Sequence, residues 1–107
     1  MSGYAAGRRV EWRWVHHFAD NGYEVQRAAS SKGVADIIAI KAGEVLLVNV
    51  KRTRLPSPAE RRELARVAAM LPGVGHPIIA RGRDLFEITD DGTNPRALTP
   101  YPIDLEE

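Results

Sequence analysis

Apolar residues recur every three or four positions from about Ala5 to Asn21. Val10, Trp14, Val15 and Phe18 share one side, which predicts an amphipathic helix ended by Gly22 in a left-handed cap. Tyr23 to Ala28 then alternates as a short strand, and "AASSKGV" is loop-like, rich in small and hydroxyl residues. The runs "ADIIAI" and "EVLLVNVKR" are separated only by Lys41–Gly43, so they predict a hairpin. Ser57 as N-cap, Pro58 in the first turn and Glu60 three residues after the cap predict a second helix opened by a capping box. Leu64, Val67, Ala68 and Leu71 lie on one of its faces, and "LPGVG" closes it. "HPIIAR" and "DLFEIT" predict two more strands about a turn at Arg81–Arg83. The last residues, with Pro95, Pro100 and Pro102, are expected to run over the surface. The order is α-β-β-β-α-β-β, an α/β class with five strands flanked by helices.

A length of 107 residues fits a single domain, 1–107, with 90–107 as an acidic tail. Neither an internal repeat nor a long linker is visible. No run of about 18 apolar residues exists to span a bilayer, and no apolar segment after Met1–Arg9 reads as a signal peptide. The expectation is a soluble, intracellular, cytoplasmic protein without a membrane partner. There is no cysteine, so a metal would be held by carboxylates, carbonyls or His, which favours a hard cation such as Mg²⁺, with Mn²⁺ expected to substitute.

The formal net charge of +1 conceals an uneven distribution. Residues 1–83 carry fourteen Lys/Arg against seven Asp/Glu, and residues 84–107 carry one against seven. A basic body with an acidic tail suits a nucleic-acid binder, because Lys and Arg displace counterions from phosphates; the alternative is a solvated surface of ordinary ion pairs. Twelve of the fifteen basic residues are Arg, which suits bidentate phosphate contacts.

Within "GEVLLVNVKRTR", Val45, Leu47, Asn49 and Lys51 share one face of a strand, and Leu46, Val48 and Val50 share the other. The second face reads as core. The first ends in an amide and an ammonium. Asp36 opens the preceding strand, and the hairpin brings it near Asn49 and Lys51, because neighbouring strands lie about 5 Å apart. With Glu at 49, the cluster would hold two carboxylates for a divalent cation and an ammonium to stabilise developing phosphate charge, with the Val50 carbonyl as a further oxygen ligand.

An Asp followed some ten residues later by Glu-x-Lys marks the PD-(D/E)xK nuclease superfamily, and "ADIIAIKAGEVLLVNVK" resembles that motif, with Ala35 for the Pro and Asn49 for the Glu. Glu11 within the first helix, Gly-aromatic-x-Val-x-Arg ending at Arg27, and the loop "SSKG" before Asp36 extend the likeness. Together they resemble the archaeal-type Holliday junction resolvases, from about Gly7 to Arg54 and more loosely to Thr89. The resemblance implies a restriction-endonuclease-like fold with a central mixed sheet. It implies that Asp36, the residue at 49 and the Val50 carbonyl bind metal, that Glu11 reaches the metal through water, and that Lys51 is the catalytic lysine. Arg27, Ser30 and Ser31 would hold phosphates near the scissile bond, with Arg8, Arg9, Arg13, Lys32, Arg52 and Arg54 as further DNA contacts. The expected partner is four-way or branched DNA, cut by a homodimer, with no small-molecule substrate. Two departures stand out: Trp12 occupies a position expected to be basic, and Asn49 replaces a metal ligand.

Each residue also has a plainer reading. Glu11 would be a solvated helix carboxylate, Asp36 a loop cap, Lys51 an edge-strand charge that discourages aggregation, and Arg52 and Arg54 solvated. Asp36 lies in an apolar run, where an unpaired carboxylate is costly, which argues against a mere cap. His16 and His17 diverge by about 100° on a helix and do not make a metal pair; His76 reads as structural. Trp14 belongs to the core, Trp12 to an exposed dimer or DNA surface, and the strands of "IIAR" and Phe86 are candidates for a dimer contact.

Two functions remain. One is a metal-dependent endonuclease that recognises branched DNA by shape, either weakened by Asn49 or compensated by Glu11 or Glu44. The other is an inactive junction-binding protein or another PD-(D/E)xK nuclease.

Overall fold

The computed structural model describes residues 2–28 and 33–103, with side chains from residue 9 onward. The elements are α1 (Ser2–Asp20), β1 (Glu24–Arg27), β2 (Ile37–Lys41), β3 (Glu44–Lys51), α2 (Pro58–Ala69), β4 (Gly75–Arg81), β5 (Asp84–Ile88) and β6 (Leu98–Pro100). The strands form one mixed sheet in the order β1-β2-β3-β4-β5-β6. All neighbours are antiparallel except β3 and β4, which run parallel because α2 crosses between them.

Local chemistry accounts for the boundaries. Gly22 at φ +90° ends α1. Its N–H donates to the Ala19 carbonyl and that of Tyr23 to the Phe18 carbonyl, the pair of bonds of a Schellman cap. The Phe18 and Tyr23 rings then meet edge-on, with centroids 5.8 Å apart. The capping box of α2 forms as the sequence predicts: Glu60 N–H donates to Ser57 Oγ at 3.2 Å, and Ser57 N–H to Glu60 Oε1 at 2.9 Å.

Both faces of the sheet are core. Leu46 and Val48 pack with Ile37, Ala39, Ile78 and Ala80 beneath Val10, Trp14 and Phe18 of α1. Leu47 and Ile79 pack on the opposite face against Leu64 and Ala68 of α2. The Leu47 face is therefore interior too, which is why β3 is nearly continuously apolar, as expected of a strand covered on both sides.

Three expectations change. The sheet has six strands, because Leu98–Pro100 pairs with β5. The chain beyond it stays docked: Tyr101 N–H donates to the Leu85 carbonyl at 2.8 Å, and the Ile103 carbonyl lies 3.0 Å from His17 Nε2. Part of the supposed surface tail is thus sheet, since Pro100 at an edge costs no ladder bond that a neighbour needs. Second, β3 lies between β2 and β4, so Lys51 is not an edge-strand charge. Third, Ile78, Ile79 and Ala80 are fully buried within this chain and are excluded as a subunit contact. Phe86 is half-buried under the Arg81 guanidinium, 5.6 Å from its ring centroid.

Candidate active site

Asp36 is held by its backbone before its side chain does anything. Its N–H donates to the Val48 carbonyl at 2.7 Å and its carbonyl accepts from Ala28 N–H at 2.9 Å, fastening the start of β2 between the ends of β1 and β3. The carboxylate then reaches along β3, where Oδ2 accepts the Val50 N–H at 2.8 Å. Burial pushes the Asp36 pKa above the usual carboxylate range. The Val50 N–H and the Lys51 charge pull it down, and the charges of Glu11 and Glu60 push it further up. Asp36, Lys51, Glu11 and Glu60 therefore share one electrostatic neighbourhood.

Asn49 is only 3% exposed. Its Nδ2 donates to the Val34 carbonyl at 2.7 Å, and its Oδ1 is buried without a hydrogen-bond partner among the described residues. The orientation is determined, since the flipped amide would set oxygen against the Val34 oxygen. Leaving such an acceptor unsatisfied costs about 1–3 kcal/mol, so this oxygen, without a partner among the described residues, is available to a ligand. Asp36, the Asn49 oxygen and the Val50 carbonyl are all hard oxygen donors, a set that fits Mg²⁺.

Lys51 ends β3 on the same face as Asn49, with Nζ 3.5 Å from Glu60 Oε1. The strand end itself is pinned: Gly82 N–H donates to the Lys51 carbonyl at 2.9 Å, and Trp14 Nε1 of α1 donates to the Gly82 carbonyl at 3.0 Å. The sequence reading gave Glu60 a capping role alone. The signal that would have found it is the short connection from Lys51 to Ser57: a helix that starts so soon after a strand and crosses to a parallel neighbour opens beside that strand's C-terminal end.

Glu11 and Arg27 meet, but as each other's partners. Arg27 donates from Nε and Nη2 to the two Glu11 carboxylate oxygens, each at 3.3 Å, and its guanidinium lies 4.8 Å from the centroid of the exposed Trp12 ring. The departure at position 12 thus serves as a stacking surface for Arg27. An open cavity of about 350 Å³ beside the site is lined by Gly33, Val34, Ala59, Glu60 and Glu63.

Other residues are not gathered here. Arg9 and Arg13 are exposed and each stands two positions from Glu11, which places them on the far side of α1. Arg52 and Arg54 are exposed just beyond Lys51. Ser30, Ser31 and Lys32, and the side chain of Arg8, lie outside the described residues. Glu44, considered as a compensating carboxylate, is at the opposite end of β3, where Tyr101 Oη donates to it; strand length puts it about 20 Å from Lys51. His16 stacks on Trp12 while His17 faces Trp14 and the Ile103 carbonyl. His76 Nδ1 lies 2.8 Å from Glu87 Oε2, in keeping with a structural role.

Among the described residues no three Asp, Glu or His side chains are gathered tightly enough to hold a metal by themselves. A family model described as archaeal Holliday junction resolvase (Hjc) matches residues 2–66, a span that contains Glu11, Arg27, Asp36, Asn49, Lys51 and Glu60. No curated protein matches the chain.

Proposed function

Because the chain belongs to the archaeal Holliday junction resolvase family, with its restriction-endonuclease-like α/β fold, we propose that it acts on four-way DNA junctions as a metal-dependent endonuclease whose turnover is lowered by Asn49. The observation that carries this reading is the convergence of Asp36, Lys51 and the Asn49 oxygen at the C-terminal end of β3.

Asp36, Asn49 Oδ1 and the Val50 carbonyl would hold the divalent cation, which when bound supplies Lewis-acid stabilisation of a phosphoryl oxygen and acidifies water for attack. The protein's own share is positioning and electrostatics. The Val50 N–H fixes the Asp36 carboxylate in one orientation. Lys51 has three N–H donors and gives one direction to Glu60, which leaves others for the charge that develops on phosphorus-bound oxygens. Arg27, braced by Glu11 and Trp12, presents a planar guanidinium to a backbone phosphate. Contacts of this kind position a backbone without reading bases, which suits selection by shape. A homodimer would set two such sites on opposed strands, as paired cleavage of a junction requires.

A second reading, junction binding without cleavage, is favoured by one contact: the Asn49 amide nitrogen is engaged with Val34 and gives the β2–β3 region a tie that a carboxylate could not make. The two are separated by incubating this chain and its Asn49→Glu variant with a synthetic four-way junction and with linear duplex in Mg²⁺. Paired nicks near the branch point, faster in the variant by several orders of magnitude, are expected. Junction binding with no cutting by either protein would establish the second reading, and equal affinity for junction and duplex would remove both.

A further inference from the structure

The charges around Asp36 do not balance in the way the strand motif alone suggests. Glu11 and Arg27 cancel one another through their two-pronged contact. Were Asp36 and Lys51 the only other charges, they too would cancel, and a divalent cation would meet a site of no net charge. Glu60 alters this. Its carboxylate lies 3.5 Å from the Lys51 ammonium and its field reaches Asp36. Its position is not left to chance, because the capping box ties Oε1 to the Ser57 N–H and so to the first turn of α2. Glu60 also lines the open cavity beside Val34, whose carbonyl holds Asn49, so helix, loop and strand meet at this carboxylate.

We propose that Glu60 is a positioning residue of this site, holding the Lys51 ammonium at the mouth of α2 and supplying the negative charge that Asn49 lacks. It acts through Lys51 and through the field at Asp36: with Lys51 turned towards Glu60, the Asp36 charge is left to attract a cation. The inference rests on the nuclease reading for its meaning, but its test does not depend on cleavage.

Glu60→Gln separates the two roles of this side chain, since Gln at this position still completes a capping box while the charge is gone. Ser57→Ala does the reverse, weakening the cap and keeping the charge. Mg²⁺ binding is measured by calorimetry on the full chain, with thermal unfolding alongside. Glu60→Gln is expected to weaken Mg²⁺ binding about five- to tenfold, the scale of removing one charge several ångströms from a divalent ion at a site open to solvent, where the effective dielectric is about 80, with little change in Tm. Ser57→Ala is expected to lower Tm and leave Mg²⁺ affinity within about twofold, because the charge stays. Adding Asn49→Glu to Glu60→Gln restores the charge count and is expected to return the affinity to at least that of the unsubstituted chain.

Unchanged Mg²⁺ affinity in Glu60→Gln, an equal loss in Ser57→Ala, no restoration by Asn49→Glu, or no Mg²⁺ binding by the unsubstituted chain would each overturn the proposal. Preference for a four-way junction over duplex, measured by band shift without metal, reports separately on the function. Its loss in every variant would sink the resolvase reading while the Mg²⁺ series still decides the role of Glu60.

Discussion

The Glu11 carboxylate receives both the Nε and the Nη2 hydrogens of Arg27 at 3.3 Å, so a helix acid and a strand base that each read as ligand-binding residues occupy one another. With side chains 30% and 18% exposed, the pair contributes less than about 1 kcal/mol to folding. On the proposed nuclease reading, its value lies in presenting the guanidinium. Arg27→Lys, which keeps the charge and loses the fork, is expected to leave Tm nearly unchanged and to weaken junction binding about tenfold, the scale of one lost bidentate phosphate contact. Band shifts over a range of salt concentrations check it, and unchanged affinity would mean that Arg27 serves Glu11 alone.

Asn49→Glu is expected to trade stability for activity. The new carboxylate would lie against the Val34 carbonyl, in a place only 3% exposed and close to Asp36. In EDTA the variant should lose about 2–3 kcal/mol, the cost of burying an ill-partnered polar group, and Mg²⁺ should return most of it by binding the folded state. Chemical denaturation with and without Mg²⁺ measures both; a loss that Mg²⁺ does not repair would place the metal elsewhere.

Asp36 imposes a pH-dependent cost on the metal-free fold. Because burial raises its folded pKa above the unfolded value, the folded state holds its proton longer. Stability therefore falls as pH rises from the unfolded pKa through the folded one, and the full cost is present above it. Asp36→Asn keeps an oxygen for the Val50 N–H and removes that cost. In EDTA at neutral pH it is expected to melt a few degrees higher than the unsubstituted chain, with the difference vanishing below about pH 3, where the carboxyl is neutral in both states. A variant that melts lower at neutral pH would show that the Val50 and Lys51 contacts outweigh burial.

The segment after β5 is fastened by a buried arginine. Arg61, 5% exposed, donates from Nε to the Gly92 carbonyl at 3.1 Å and from Nη1 to the Pro56 carbonyl at 2.9 Å. A Cβ at Gly92 would stand 2.6 Å from Arg61 backbone atoms, and φ there is +92°. Gly92→Ala is expected to cost about 2–4 kcal/mol through strain and the displaced arginine. A loss below 1 kcal/mol in denaturant titration would mean that the loop moves away freely.

The sequence by itself determined the local elements and named most residues of the candidate site. Helical spacing, the Gly22 cap and the Ser57–Glu60 box are written in neighbouring residues, and the hairpin follows from two apolar runs joined by Lys41–Gly43, so Asp36 and Lys51 were legible as partners. Only the tertiary structure decided that the Leu47 and Asn49 face is interior, because burial on both faces of β3 depends on where α2 lands. It also decided that Leu98–Pro100 is a strand, a pairing that three residues with a proline cannot announce. Glu60 shows the division most clearly. Its bond to Ser57 is local and readable, whereas its approach to Lys51 and Asp36 exists only because the chain crosses over the sheet and returns parallel, so the short Lys51–Ser57 connection signals it only once that crossover is known.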